Sequence, residues 1–181
     1  MEELEIQKTP KAFTRTGDRG SSLIGFDSDN TPIRIEKDNL QMVIWGCIDE
    51  LSCWLGCIDN REYENIQSVL YKISGYLYNK NIDQDLLKKT IDKMERFCKK
   101  HEDSLTTEFI LPKGKIHYAR ALTRKVERYM VTYAKTSSLD GVWLLVKYFN
   151  RLSSYFYVEA ERKFNLDDEE EKNDNIEKEY K

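Results

Sequence analysis

Helix-breaking residues are scarce in this chain, and that scarcity limits the folds open to it. Its 181 residues include three prolines and eight glycines, which favours long helices over many short strands. From residue 40 onward, apolar side chains recur at the spacing of one helical face. Five helices are predicted, at residues 40–58, 63–78, 84–101, 116–133 and 139–164. Asp83 is the expected N-cap of the third. The expected fold is all-α, an up-and-down five-helix bundle with a loop-rich N-terminal segment.

The predicted fourth helix carries a row of arginines. Arg120, Arg124 and Arg128 are four residues apart and share one face, which Glu127 joins. The expected core-facing side of this helix is formed by Tyr118, Leu122, Val126, Tyr129 and Tyr133. Guanidinium groups in such a row suit phosphate or carboxylate oxygens. From the helix alone, a solvated face tied by Arg–Glu pairs is the favoured interpretation, because such pairs are common and weakly stabilising.

Residues 13–39 lack a helical period, which indicates a loop with short extended pieces. Residues 14–22, TRTGDRGSS, combine small hydroxyl residues, two glycines and two arginines. Backbone N–H groups freed by glycine, together with hydroxyls, can wrap an anion. The G-K-[ST] ending of a Walker loop is missing. Taken alone, this segment favours a flexible surface loop over an anion site.

Two polar sites interrupt apolar patterns, and the sequence leaves both open. Asp49 and Glu50 lie within the first helix, either on a solvated edge or as partners of the arginines. Asn150 lies in the most apolar segment, the last helix. It is either exposed or hydrogen-bonded, because an unpaired buried amide is costly.

Charge is unevenly distributed along the chain. The net charge is −3, of which residues 167–181 contribute −5 from eight acids and three bases, so the remainder carries +2. We expect a flexible arm at residues 1–12, one helical domain at 13–166 and an acidic disordered tail at 167–181. A charge of +2 is too small to indicate nucleic-acid binding. With no apolar run of transmembrane length or signal-peptide type, a cytoplasmic protein without membrane contact is expected.

The cysteine pattern gives no sign of a metal site. No C-x-x-C pair occurs among the four cysteines, and the two histidines are distant in sequence, so no zinc centre is expected. Cys53 and Cys57 are one helical turn apart in an apolar segment, which predicts buried free thiols.

Five short stretches between residues 13 and 164 carry a resemblance when taken in order. They are TRTGDRG at 14–20, DELS at 49–52, FILP at 109–112, Arg120 with RKVER at 124–128, and NRLS at 150–153. Each is weak alone, but five in order are hard to obtain by chance. Together they resemble the cobalamin adenosyltransferases of the propanediol-utilisation type, which transfer adenosine from ATP to cob(I)alamin.

The resemblance implies a five-helix protein that assembles as a homotrimer with active sites between subunits. It implies ATP and cob(I)alamin as substrates, Mg²⁺ as a cofactor, a flavoprotein reductase as a partner and a cobalamin-dependent enzyme as recipient of the product. Cob(I)alamin is itself a strong nucleophile, so the reaction needs no general base. The protein must align two reactants and stabilise charge on the leaving triphosphate.

The same resemblance assigns roles to individual residues. Those implied to wrap ATP from the N-terminal segment are Thr14, Arg15, Thr16, Gly17, Ser22 and Lys37. On the fourth helix, Arg124 and Arg128 would hold the triphosphate while Glu127 orients them. Lys125 joins them on the nucleotide side, at a position where the family commonly has a second arginine.

Three further residues complete the implied site. Asn150 would contact the nucleotide, and Phe109 would lie on the corrin side and help to displace the lower ligand of cobalt. Arg120, the third residue of the implied catalytic set, would pair across the subunit boundary with Asp38 or Asn39, depending on register. The segment after the FILP motif is shorter than is usual in the family. A trimeric ATP- or cobalamin-binding carrier or sensor with little turnover therefore stays open as an alternative, as does a plain helical interaction protein.

Overall fold

The structure, a computed structural model, describes residues 13, 15–26, 31–58, 60–105 and 111–179. Within these ranges, side chains are not described at 25, 26, 32, 62, 104 and 164–179. The predictions for the arm at 1–12, for Thr14 and for Phe109 fall outside the described residues.

The five predicted helices are confirmed. They are α1 (Leu40–Gly56), α2 (Arg61–Asn79), α3 (Gln84–Lys100), α4 (Gly114–Thr136) and α5 (Val142–Glu179), with a 3₁₀ turn at Glu102–Ser104. The predicted cap is also present, because the Asp83 side chain accepts a hydrogen bond from the Leu86 backbone N–H at 2.9 Å. Such a cap satisfies one of the donors that a helix start leaves unpaired.

An antiparallel hairpin precedes the helices, where the sequence predicted a loop with short extended pieces. Strand β1 (Ser21–Phe26) pairs with β2 (Pro32–Glu36), so that Ser21 lies opposite Glu36 and Leu23 opposite Arg34. The register shifts between Leu23 and Gly25, which is typical of a β-bulge. The strands pack chiefly against each other.

The helices enclose one apolar core. Helix α5 packs against α3 and α4, while α1 packs against α4 and α2. The Tyr63 ring of α2 meets Phe156 of α5 edge to face at 5.9 Å. Side chains such as Leu51, Leu70 and Leu152 are fully buried, and each stabilises the fold by about 1.5–3 kcal/mol relative to an exposed position. No described helix is long and apolar enough to cross a membrane.

The predicted inner face of α4 is partly wrong. Tyr118 and Tyr129 are 48 % and 38 % exposed, whereas Leu122 and Val126 are buried as predicted and Tyr133 is half-buried against the core. The buried positions of the helix are His117, Ala119, Leu122, Thr123, Val126, Met130 and Ala134. The two tyrosines lie one position off this line, a rotation of about 100° on a helix. Tyr118 instead packs edge to face on Trp54 at 4.5 Å.

The predicted burial of Cys53 and Cys57 is wrong, since both are exposed free thiols. The inner side of α1 is formed by Ile44, Cys47, Ile48, Leu51 and Leu55. Cys53 lies on the other side of the helix, and Cys57 follows its last residue. An apolar segment is not buried on every face when its helix packs chiefly on one side, here against α2 and α4.

The boundaries of two helices also differ from the prediction. Helix α2 begins at Arg61, two residues before the predicted start at residue 63. Helix α5 begins at Val142 because Gly141 has φ +76°, a conformation that glycine adopts without strain. It then continues to Glu179 instead of ending near Phe164, through a run without Gly or Pro that is rich in good helix formers. The predicted disorder of residues 167–181 stays a prediction.

Candidate functional site

Two members of the arginine row, Arg120 and Arg124, line a cavity of about 520 Å³. Its wall is completed by Glu95, Cys98, Lys99, Glu102, Leu105, Arg151, Ser153, Ser154, Tyr157 and Val158. Three guanidinium groups and one ammonium face two carboxylates here, so the cavity is positively charged. The arrangement suits an anionic ligand.

The arginines of α4 are available to a ligand. Arg124 and Arg128 are exposed, and Arg120 is half-buried with its guanidinium 5.2 Å from the centre of the Tyr157 ring. None of the three forms an ion pair with another described residue. The solvated Arg–Glu pairing favoured from the sequence is therefore not what this part of the chain contains.

Glu127 and Asn150 are brought together across α4 and α5. The Asn150 amide Nδ2 donates to Glu127 Oε1 at 2.8 Å, and its Oδ1 accepts from an Arg151 guanidinium nitrogen at 2.5 Å. This settles the alternatives for Asn150, which is half-buried and hydrogen-bonded. The hydroxyls of Ser153 and Ser154 donate to its backbone carbonyl, at 2.8 and 3.2 Å.

Glu95 of α3 contacts Arg151 on the side away from Asn150, a role that was not predicted from the sequence. The Arg151 Nε lies 2.7 Å from Glu95 Oε1, and Lys147 Nζ lies 3.4 Å from the same oxygen. The hydrogen bond from Arg151 is the main reason why the pKa of Glu95 is lowered. In the sequence, Glu95 is one of several acidic residues in a lysine-rich helix, and nothing distinguishes it from the others.

Lys125 contacts α1 instead of the cavity. Its Nζ lies 2.6 Å from Glu50 Oε2, and this hydrogen bond is the main cause of its raised pKa. Among the described residues, Glu50 pairs with this lysine and not with an arginine of the row. Asp49 lies on the exposed side of α1, as one of the two alternatives predicted.

The glycine-containing loop at residues 15–20 is held by two cationic side chains, Arg34 in β2 and Lys37 directly after it. Lys37 Nζ donates to the Gly17 carbonyl at 2.8 Å, and the Lys37 N–H donates to Gly20 O at 2.8 Å. Arg15 and Gly20 both have positive φ, 60° and 85°. Within the loop, the Asp18 N–H donates to Arg15 O at 3.5 Å and the Gly20 N–H donates to Gly17 O at 3.2 Å. These bonds and the two from Lys37 hold the loop in one conformation.

Arg34 is a second anchor of this loop that sequence reasoning missed. Its guanidinium donates to Ser21 Oγ at 3.0 Å, to Ser21 O at 3.1 Å and to the Thr16 carbonyl. The signal was present in the alternation of Ile33 and Ile35 with Arg34 and Glu36, which indicates a strand with one polar face. The sequence does not show which strand this one pairs with, so the contact between Arg34 and the loop could not be predicted.

The family model for cobalamin adenosyltransferase matches residues 12–162. The chain belongs to the cobalamin adenosyltransferase family. The corrinoid adenosyltransferase of Bacillus subtilis (strain 168) is 29 % identical over 172 residues, covering 83 % of this chain and 84 % of that protein. The corrinoid adenosyltransferase MMAB of Bos taurus is 30 % identical over 178 residues, covering 84 % and 71 %.

Solved structures share the fold. A variant of the PduO-type ATP:corrinoid adenosyltransferase from Lactobacillus reuteri, complexed with cobalamin and ATP, aligns with a TM-score of 0.65 at 24 % identity. The alignment covers 87 % of this chain and 96 % of that one. A second variant from the same organism, complexed with ATP, aligns with a TM-score of 0.63.

Within the predicted adenosyltransferase-like domain, the described candidate site residues form two clusters. The loop makes its hydrogen bonds with the hairpin, whereas the arginine row lies among α1, α3 and α5. Ser22 is half-buried in β1, opposite Ile35. Thr14 and Phe109, both implied to contact a substrate, lie outside the described residues.

Two residues, Asp38 and Asn39, were predicted as alternative partners of Arg120, and the N-cap of α1 distinguishes them. Asn39 is the N-cap of that helix, and its side chain accepts from the Gln41 N–H at 2.9 Å. Asp38 does not cap the helix and its carboxylate is exposed, so it is the better candidate of the two. The pairing across subunits stays a prediction.

Proposed function

We propose that this protein transfers the 5′-deoxyadenosyl group of ATP to cob(I)alamin, giving adenosylcobalamin and triphosphate. The observation that carries the proposal is the cationic cavity lined by Arg120 and Arg124, within the span that matches the cobalamin adenosyltransferase family. The relatives named corrinoid adenosyltransferases and the neighbour complexed with cobalamin and ATP support it.

In the proposed reaction the Co(I) electron pair attacks the 5′ carbon of ATP. A cobalt–carbon bond forms, the bond from that carbon to the triphosphate oxygen breaks, and triphosphate leaves with the bonding electrons. No proton is removed from the nucleophile, so no general base is required. The protein aligns the two substrates and stabilises the charge that develops on the leaving oxygen.

Arg124 and Arg128 are the proposed ligands of the triphosphate. Their exposed guanidinium groups have no ion-pair partner among the described residues, and they suit phosphate oxygens bidentately. Glu127 lies between them in sequence and is fixed by Asn150 at 2.8 Å. We propose that Glu127 orients the two arginines while Asn150 contacts the nucleotide with its remaining hydrogen-bonding capacity.

Mg²⁺ is proposed to enter with the triphosphate. The described residues contain no group of three or more His, Cys, Asp or Glu side chains that fits a metal ion. Phosphate oxygens and water normally supply most ligands of Mg²⁺ in such sites, so a nucleotide-borne ion is compatible with this chain. Its contribution is to neutralise part of the triphosphate charge.

A homotrimer is proposed to complete the active site. The loop at 15–20 and the arginine row form separate clusters within one chain, and a neighbouring subunit is the simplest way to bring a loop to an arginine row. The loop of one subunit, with Lys37, would then wrap ATP held by Arg124 of the next, and Phe109 would face the corrin. A cytoplasmic location, a flavoprotein reductase that supplies Co(I), and a cobalamin-dependent enzyme that receives the product belong to the same proposal.

The test is an anaerobic reaction of the full chain with ATP, Mg²⁺ and chemically reduced cobalamin. We expect the absorbance of the cobalt–carbon product to appear together with one equivalent of triphosphate. Omitting the protein, with the reductant present, is the control for non-enzymatic spectral change. Binding of ATP without product would favour a carrier or sensor. Failure to bind ATP would exclude the adenosyl transfer and an ATP-binding carrier.

A further inference from the structure

Asn150 is held at both ends of its amide by groups of opposite hydrogen-bonding character. Glu127 accepts from its Nδ2 at 2.8 Å, and Arg151 donates to its Oδ1 at 2.5 Å. An ionised carboxylate only accepts and a guanidinium only donates. If the amide were rotated by half a turn, its oxygen would face the Glu127 carboxylate and its NH₂ would face the Arg151 guanidinium. Neither contact could be a hydrogen bond, so the two neighbours permit one orientation.

Arg151 is itself fixed by Glu95. The Arg151 Nε donates to Glu95 Oε1 at 2.7 Å while another nitrogen of the same guanidinium contacts Asn150. This fork uses two edges of a planar group and therefore determines its plane. Glu95 is a carboxylate at neutral pH, and the hydrogen bond from Arg151 lowers its pKa further.

A continuous series of contacts thus runs from α3 to the arginine row. It passes from Glu95 through Arg151 and Asn150 to Glu127, which lies between Arg124 and Arg128 on α4. Nothing else in the proposed reaction requires Glu95. We propose that Glu95 is a positioning residue for the nucleotide side of the site, acting through Arg151 on the orientation of Asn150. This inference rests on the proposed function.

The test measures ATP affinity in the full-length protein by equilibrium titration, with the KM values for ATP and cob(I)alamin alongside. Glu95→Ala should weaken ATP binding about tenfold and leave the KM for cob(I)alamin unchanged. The size is taken from the lower end of what loss of a supporting partner costs a metal site. Glu95→Gln keeps an oxygen that can accept from Arg151 and should recover most of the affinity. Lys147→Ala removes the other cation at Glu95 and should bind ATP as the parent does.

A double-mutant cycle separates this role from a general structural one. If Glu95 acts through Asn150, then Glu95→Ala combined with Asn150→Ala should bind ATP no more weakly than Asn150→Ala alone. Parental affinity in Glu95→Ala, or losses that multiply in the double variant, would overturn the inference. If Glu95→Ala does not fold, Arg151→Lys tests the same contacts and should also weaken ATP binding. Lysine keeps the positive charge but cannot bond Glu95 and Asn150 through two nitrogens of one planar group. If the parent itself does not bind ATP, the proposed function fails and not this assignment alone.

Discussion

Lys125 Nζ lies 2.6 Å from Glu50 Oε2 and thereby ties α4 to α1 beside the arginine row. The amine next to Arg124 in sequence is thus already paired within its own subunit. We propose that Lys125 links the two helices and that phosphate binding falls to Arg124 and Arg128. A lysine suits this position because the contact involves one carboxylate oxygen, which a single ammonium can bind. The bidentate geometry of an arginine is not needed for it.

Lys125→Met should therefore leave ATP affinity within about twofold of the parent, because an exposed ion pair contributes little. Glu50→Gln is the matched control, since it removes the negative charge that pairs with this amine and leaves the amine in place. Both variants are compared by ATP titration. A tenfold loss in Lys125→Met that Glu50→Gln does not share would identify the amine as a phosphate ligand.

Glu95 gives the fold a pH dependence of known sign. The hydrogen bond from Arg151 lowers its pKa in the folded state, so its contribution to stability is complete above the unfolded pKa of about 4.3. That contribution is lost as the pH falls through the lower folded pKa. Glu95→Gln should thus be less stable than the parent at neutral pH, with the difference vanishing in strong acid. Urea unfolding across this range measures it, and a constant difference at every pH would contradict the assignment.

Arg34→Ala should weaken ATP binding about fivefold to tenfold, because the loop loses its hydrogen bonds from Arg34 to Ser21 and Thr16 and must be ordered by the ligand instead. Arg61→Ala is the control. It removes the same charge from an exposed position at the start of α2. Titration with ATP compares the two variants, and equal affinities would show that Arg34 does not prepare the loop.

Tyr148→Phe should keep or raise the stability of the protein. The Tyr148 side chain is fully buried, its hydroxyl has no partner among the described residues, and burial raises its pKa. Removing an unpaired buried hydroxyl is nearly neutral or stabilising, by about 1 kcal/mol. Leu152→Ala, in the same core, should instead cost about 2–5 kcal/mol. Thermal or urea unfolding measures both, and a loss in Tyr148→Phe as large as in Leu152→Ala would reveal a missed hydrogen bond.

The bundle could be predicted because each helix repeats its apolar positions at the helical period. Leu122 and Val126 on α4, like Leu70 and Ile73 on α2, are buried as that period requires. Period alone does not fix the rotation of a helix to within one residue. Tyr118 was therefore assigned to the core, although its ring covers Trp54 at the surface.

Candidate site residues could be predicted where they are distinctive in sequence, and not where they act through contacts between elements. Arg120 and Arg124 were recognisable from their spacing, and they line one cavity. Glu95 and Arg34 gain their roles from partners distant along the chain, Arg151 and Thr16. Only the packing of α3 on α5 and the pairing of the hairpin bring those partners together.

The most direct test of the account is the turnover of Arg124→Ala under anaerobic conditions with ATP, Mg²⁺ and cob(I)alamin. Removing a group that stabilises charge on the leaving triphosphate should lower kcat by about 100-fold or more. The far-ultraviolet circular dichroism and the Tm should stay at the parental values, because the side chain is exposed. Arg61→Ala should keep parental turnover. A parental kcat in Arg124→Ala, or loss of activity only together with loss of the fold, would contradict the central claim.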